Sequence, residues 1–532
     1  MILAFVALFH LMPGISSDRE FPRDFIFGVS TSAYQIEGSW DSDGKGMSSC
    51  DYVYHFNPEF IIDGLNSDVS CDSYNKLDMD IKALKMLNVN FYRFSTSWTR
   101  ILPIGDISFI NQKGIDYYNN LINQLIENEI QPFLTMTHWD LPVNISMTDK
   151  DFTRHFKNYA DVLFKNFGDR VKIWTTFNEP IVNCRADIPI FPETLNPGRN
   201  EYDCIENILK AHAIAYRLYE RKYKKIYGGK IGITLNSHYY YPLNKRDTSA
   251  VERAKQFEIG IFANPIYGTG GFPNIVIDSV GNSSRLRQLN AFWKNYIKGT
   301  GDFLSLNYYS SFYAKDVPRP AERVFIADDT GVSLSAGPFT IESKCQYRFS
   351  SVPKGLEDAL LFIKNEYKNI EVLITENGWC DKSGESKNDN DRVKYMNDHL
   401  DAILNATAKG CNVVGYGAWS LMDSFEWFNG FTYKFGLFHI DFHNASLERT
   451  PKLSALFYKG VIENRKNQVG LKSFLVFQWR KLIHTAFNRM VSQTGKIVTL
   501  LRWRNAMNVN DEMYDLIDSL QSAASEDFNE TD

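Results

Sequence analysis

The chain has 532 residues, of which 44% are hydrophobic and 23% charged, and its 58 Lys and Arg against 63 Asp and Glu leave a net charge of −5. This balance excludes a largely disordered chain and a polytopic membrane protein, and without a basic footprint no nucleic-acid partner is expected. Its 38 Phe, 28 Tyr and 10 Trp fit a large core or a site built on flat apolar faces.

Residues Met1 to Met12 form a short apolar run followed by Gly14, Ser16 and Ser17. The run is too short to span a bilayer and, although it lacks a positive start, reads as a signal peptide over residues 1–17. A secreted or secretory-lumen protein is therefore expected. Eight short β-rich runs follow: Phe25–Ser30, Phe91–Ser95, Pro132–His138, Ile173–Asn178, Ile231–Leu235, Phe303–Tyr308, Val372–Glu376 and Val413–Trp419. Helical periodicity lies between them, as in Leu77–Leu87 and Tyr117–Ile126. Strands alternating with helices imply parallel pairing through crossovers, and eight such units predict one closed (β/α)8 TIM barrel with long βα loops, an α/β fold over residues 18–465. Length alone would allow roughly two to four domains, but one such barrel absorbs more than about 400 residues.

In such a barrel, chemistry sits at the C-terminal strand ends. Those ends carry Arg93, His138-Trp139-Asp140, Asn178-Glu179, Asn307 with Tyr309, Glu376-Asn377 and Trp419. Any one of these could be a structural cap; eight runs ending in large polar or aromatic groups make a pattern. Glu179 and Glu376 each close an apolar strand, where partial solvation moves a carboxyl pKa. If strands four and seven lie on opposite sides of one barrel mouth, the two carboxyls can face each other across a sugar, as glycosidic hydrolysis needs: one protonates the leaving oxygen while the other attacks or activates water. The stretch Gly268-Thr-Gly-Gly271 lacks a phosphate-loop spacing, so no cofactor is expected.

Here the sequence resembles glycoside hydrolase family 1, the retaining β-glucosidases and their relatives. The resemblance runs from about Phe21 to about Ile462 and rests on Thr31-Ser-Ala-Tyr-Gln-Ile-Glu-Gly38, Tyr92-Arg-Phe-Ser95, His138-Trp-Asp-Leu-Pro142, Thr176-Phe-Asn-Glu-Pro180, Ile374-Thr-Glu-Asn-Gly378 and Trp419-Ser-Leu-Met-Asp-Ser-Phe-Glu-Trp427, in the family's order. It implies that Glu376 is the nucleophile and Glu179 the acid, then the base. Asn178 would hold the sugar 2-hydroxyl, and Arg93, Tyr309 and Asn307 would support the nucleophile. Gln35, His138, Glu426 and Trp427 would read sugar hydroxyls, Trp419 would supply a stacking floor, and Phe435 would lie near the primary hydroxyl. The implied substrate is a small β-glycoside, an O-linked β-D-glucoside or a related galactoside or fucoside. Glu426-Trp427 suits an uncharged sugar, and an intact Glu179 argues for O-glycosides, leaving animal-type thioglucosidases open.

Several positions depart from the family pattern: Cys50 stands for Trp, Asn75 for His, Val143 for Gln and Ile261 for Trp, and Ile181 to Ile188 replace a Gly-Tyr-Gly stretch. The expectation is an altered aglycone preference or a lowered rate; a sugar-binding, klotho-like pseudoenzyme is the alternative.

The seven Cys (50, 71, 184, 204, 345, 380 and 411) leave at least one thiol unpaired. Cys184 and Cys204 bracket one Pro- and Asn-rich loop and form the expected disulfide, with buried free thiols as the alternative; no spacing resembles a metal site, so none is expected. Sequons at Asn144, Asn282, Asn405, Asn444 and Asn529 are candidate glycosylation sites.

The remainder, residues 466–532, is polarised by charge. From Leu471 to Asn510 there are seven bases and no acids, and from Asp511 to Asp532 eight acids and no bases. Phe474, Leu475, Phe477, Trp479 and Leu482 interleave with the bases. A basic amphipathic helix on an anionic membrane surface is one reading; a tail whose halves attract each other is the favoured one.

Overall fold

The computed structural model describes residues 20–185, 198–281, 284–345, 349–382 and 387–467. All eight expected runs are strands of one closed parallel barrel: β1 (Ile26–Ser30), β2 (Phe91–Ser95), β3 (Gln131–Thr137), β4 (Ile173–Asn178), β5 (Lys230–Asn236), β6 (Phe303–Asn307), β7 (Val372–Glu376) and β8 (Val413–Trp419). Neighbours in sequence are neighbours in the barrel, and β1 closes on β8 with Ser30 opposite Trp419. His138 and Tyr308 fall one residue beyond β3 and β6.

The periodic intervals are helices, including Leu77–Leu87, Gln112–Glu127, Phe152–Phe167, Asn200–Lys222, Pro353–Glu366, Asn390–Ala408 and Leu453–Asn464. Leu77–Leu87 shows why. Its Leu77, Ile81, Leu84 and Leu87 are buried on one face, and it stops at Asn88, whose left-handed φ of 59° ends the helical run. A small sheet of Tyr239–Pro242, Ser311–Asp316 and Val332–Ala336, which the sequence pattern did not reveal, lies within the β5 and β6 loops.

Two layers inside the barrel prepare the site. The lower is apolar: Phe91, Phe133, Phe303 and Leu373 form one cluster. Gly28 of β1 has to be glycine, because a Cβ there would lie 2.5 Å from the Phe91 ring. Above it runs a belt of hydroxyls: Thr135 Oγ1 to Thr175 Oγ1 at 3.0 Å, Thr234 to Ser305 at 3.1 Å, and Ser305 to Thr375 at 2.7 Å. These bonds satisfy buried polar groups that would otherwise be costly, and the belt continues upward. Thr135 Oγ1 accepts from Arg93 Nε at 3.0 Å, and Thr375 Oγ1 donates to Asn307 Oδ1 at 2.8 Å.

Disulfides join Cys184 to Cys204, as expected, and Cys345 to Cys380, which spacing did not single out. Cys50, Cys71 and Cys411 are free. Two disulfides fit an oxidising compartment. Among the described residues no helix is long and apolar enough to cross a membrane. Asn144 and Asn444 are exposed, and Asn405 is half-buried in the helix Asn390–Ala408. Residues 1–17, Asn282, Asn529 and the charge-polarised stretch lie outside the described residues.

Candidate active site

The strand tips converge on a cavity of about 460 Å3 lined by His138, Trp139, Asn178, Glu179, Asn307, Tyr309, Glu376, Trp419, Glu426, Trp427 and Phe435. Every expected site residue except Gln35 and Arg93 is in this wall. Both lie directly behind it and reach it through hydrogen bonds.

The two carboxyls are aimed by irregular backbone. The β4–β5 register shifts between Thr175 and Asn178, and the β6–β7 register shifts between Ile374 and Glu376. Such interruptions re-aim side chains at barrel rims. Glu179 also holds a left-handed φ of 45°, uncommon for a residue with a Cβ, while its N–H donates to Thr234 O at 2.9 Å.

The environments of the two carboxyls differ. Glu376 Oε1 accepts from Arg93 Nη1 at 2.6 Å, and its Oε2 accepts from the Tyr309 hydroxyl at 2.8 Å. Arg93 is fully buried and Glu376 is 3% exposed, so charge and counter-charge are desolvated together. Glu179 has only a neutral donor, Asn307 Nδ2, at 2.8 Å. Burial, then the neighbouring Glu376 charge, pushes its pKa up to about 8, against the Asn307 hydrogen bond. The sequence expectation placed Asn307 beside Glu376. It stands opposite Glu376 in the ladder, but Thr375 holds its Oδ1, and its Nδ2 reaches Glu179 and Asn178 Oδ1, the latter at 3.1 Å.

Asn178 is the hub. Its Oδ1 accepts from Arg93 Nη2 at 2.6 Å and from Asn307, which fixes the amide orientation. Its Nδ2 therefore donates to His138 Nε2 at 3.0 Å. The ring proton then sits on His138 Nδ1, a buried atom with no protein partner. Burial and the Arg93 charge lower the His138 pKa and keep the ring neutral, so a single N–H donor stands ready at the wall.

The β8 tip supplies the rest. Gln35 Nε2 donates to Glu426 Oε2 at 3.1 Å and to Phe425 O at 2.8 Å, and its Oε1 accepts from Ser32 Oγ at 2.7 Å. Burial, then the Glu376 charge, raises the Glu426 pKa to about 8. Trp427 stacks on Tyr34, its centroid 5.9 Å away and its plane 9° off, and Trp419 stacks on His138 at 5.8 Å. Phe435 and Trp419 pack with Cys345 and Cys380, so the second disulfide braces this floor. The loop from Trp419 to Phe435 is pinned by Asp423, whose Oδ1 accepts from Lys452 Nζ at 2.7 Å and from the Gly436 N–H at 3.1 Å. Burial alone would raise the Asp423 pKa, but Lys452 and His439 bring it down to about 2.

Sequence reasoning missed the outer wall: Val53, Tyr54, Ile145, Met147, Val182, His238, Phe349 and Phe428. They lie on the segments between barrel strands: Val53, Tyr54 and Val182 on short helices, Phe428 in a single 3-10 turn and the rest on irregular backbone, and no strand end marks them. His238 is held by Glu258, its Nδ1 2.7 Å from Oε1. Among the described residues no group of three or more His, Cys, Asp or Glu is arranged to hold a metal ion.

A buried pair of unequal carboxyls at the mouth of an eight-stranded parallel barrel is the arrangement of a glycoside hydrolase. The family model for glycosyl hydrolase family 1 matches residues 17–467, and the chain belongs to that family and is a retaining β-glycosidase. The chain is 42% identical over 480 residues to myrosinase 1 of Brevicoryne brassicae, covering 84% of this chain and all of that protein. It is 40% identical over 481 residues to β-glucosidase 12 of Oryza sativa subsp. indica, covering 83% of this chain and 92% of the relative. Among solved structures, a rice Os3BGlu6 β-glucosidase mutant in a covalent complex with Glc superposes with a TM-score of 0.77 at 31% identity, covering 82% of this chain and 98% of that one.

Proposed function

We propose that the protein hydrolyses O-linked β-D-glucosides in two displacements through a glycosyl-enzyme on Glu376. The observation that carries this is the difference between the two carboxyls. Glu376 is bound on one oxygen by a guanidinium and on the other by a phenol, partners that favour a carboxylate aimed at an anomeric carbon. Glu179 is held protonated by burial, as an acid must be before it gives its proton to a leaving oxygen. In the first step Glu376 forms a bond to C1, the bond from C1 to the aglycone oxygen breaks, and the Glu179 proton goes to that oxygen. In the second step water adds to C1, its proton returns to Glu179, and the ester bond to Glu376 breaks.

Asn178 and His138 supply donors for sugar hydroxyls, Glu426 offers its carboxyl to others, and Trp419 floors the ring. A thioglucosidase is the second reading, favoured by the 42% identity to a myrosinase. A thiolate leaves without a proton, however, and the protonated Glu179 supports oxygen. The test is turnover of 4-nitrophenyl β-D-glucoside by the purified protein, with trapping by a 2-deoxy-2-fluoroglucoside. The expected result is a covalent sugar on the peptide containing Glu376 and loss of turnover in Glu376→Gln. Equal turnover in that variant overturns the mechanism, and no turnover on any β-glycoside favours the sugar-binding alternative.

A further inference from the structure

The wall of the cavity changes character away from the two carboxyls. The residues on loops beyond the strand tips are largely apolar: Val143, Ile145, Met147, Val182, Phe349 and Phe428. Several of the polar groups interleaved with them already hold a hydrogen bond within the protein. Asn144 Nδ2 donates to Ile104 O at 3.1 Å, Asn183 Nδ2 to the Met147 sulfur at 3.0 Å, and Ser237 Oγ to His238 O at 3.1 Å. Ser146 Oγ and Thr148 Oγ1 share a bond of 2.8 Å, and His238 Nδ1 is turned to Glu258. A second sugar ring brings several hydroxyls that lose water on entry and must find partners; here it meets a wall that is largely hydrocarbon, with few polar groups and those already bonded in part to the protein.

The charges point the same way. Among the described residues the lining holds no Lys or Arg, while Asp149, Glu179, Glu376 and Glu426 all carry carboxyls. A sulfate or carboxylate on the leaving group would find no cationic side chain in that wall, and the guanidinium behind it, Arg93, is already paired with Glu376.

We propose that the leaving-group half of the cavity selects neutral, apolar aglycones, alkyl or aryl, over a second sugar and over anionic aglycones. Val143 and Met147 are the principal specificity determinants. This deepens the glucosidase reading above and rests on it.

The test compares glucosides that share the glycone, using the purified full-length protein. Octanol leaves no more easily than a sugar hydroxyl, so a preference for octyl β-D-glucoside over cellobiose reports binding of the alkyl chain. With even two methylenes buried in the transition state, kcat/KM should favour the octyl glucoside by about tenfold or more. Phenyl β-D-glucoside should exceed its 4-carboxyphenyl counterpart by a similar factor, although the carboxylated phenol is the better leaving group. Val143→Gln and Met147→Gln should each narrow the octyl-to-cellobiose ratio at least threefold. The rate at which water releases a trapped 2-fluoroglucosyl-enzyme should not change in either variant, because the aglycone has departed by that step. A merely structural defect would slow that release as well.

Activity on 4-nitrophenyl β-D-glucoside with cellobiose or the carboxyphenyl glucoside equal or preferred overturns this inference alone. An unchanged ratio in both variants overturns the assignment of the determinants. Inactivity toward every glucoside, 4-nitrophenyl included, overturns the glucosidase reading and this one with it.

Discussion

Replacing Asn307 by Ala tests how the cavity keeps one carboxyl protonated. Asn307 Nδ2 is the side-chain donor to Glu179 at 2.8 Å, and it is the hydrogen bond that opposes burial and the Glu376 charge in setting the Glu179 pKa near 8. A hydrogen bond to a charged group is worth about 1.5–3 kcal/mol, and one pKa unit corresponds to about 1.4 kcal/mol. Removing the donor destabilises the carboxylate more than the acid, so the Glu179 pKa should rise by about one unit, two at most. If Glu179 is the proton donor, the alkaline limb of kcat/KM against pH moves upward by that amount. The same change frees Asn178 Oδ1 from its 3.1 Å partner and removes the 2.8 Å acceptor of the Thr375 hydroxyl, so the optimum kcat/KM should fall by about tenfold or more. The assay is kcat/KM for 4-nitrophenyl β-D-glucoside between pH 4 and pH 10, with stability checked at each pH. An alkaline limb that stays in place or moves down, with the fold intact, would refute the role given to the Asn307–Glu179 contact.

Three further outcomes follow from the same geometry. Glu426 has a folded pKa of about 8 against 4.5 unfolded, so its stabilising share is full below pH 4.5 and lost as pH rises through 8; at pH 8 the penalty approaches an upper bound of about 4 kcal/mol. Glu426→Gln should therefore gain in Tm relative to wild type by several degrees between pH 4.5 and pH 8, and a pH-independent difference in calorimetry would contradict this. Lys452→Ala leaves Asp423 buried without its ammonium and should cost about 3–5 kcal/mol in denaturant unfolding while lowering kcat/KM, because the loop pinned by Asp423 carries Glu426 and Trp427. Lys452→Met should be nearly as harmful, since the lost charge rather than the lost volume is what matters. The Cys184–Cys204 disulfide spans a sequence separation of 20, so a Cys184→Ser, Cys204→Ser double variant should lose about 3 kcal/mol. Unchanged unfolding in the double variant would count against that bridge.

Much of the barrel was legible in the chain because its strands are buried on both faces and read as short apolar runs. Four of the eight, Phe91–Ser95, Ile173–Asn178, Val372–Glu376 and Val413–Trp419, coincide with the observed strands, and the others differ by one residue at either end. The side sheet escaped notice because strands such as Val332–Ala336 are largely exposed and carry no run to mark them. Cys345 and Cys380 gave no sign of pairing, since a separation of 35 brings two thiols together only after the β6 and β7 loops have closed over the floor.

By itself the sequence determined the periods, the order of the strands and the polar residues that end them, because burial and backbone pairing act on every residue of a strand alike. Tertiary structure decided what those ends do to one another. It gave Arg93 and Tyr309 to Glu376, turned Asn307 to Glu179 although Asn307 sits across from Glu376 in the ladder, and left a proton donor on His138. It also decided the outer wall, where Val143 and Met147 line one cavity with Phe349 and Phe428 from distant segments. Charge, desolvation and hydrogen-bond direction depend on distances across the barrel mouth, and the linear order of residues does not contain those distances.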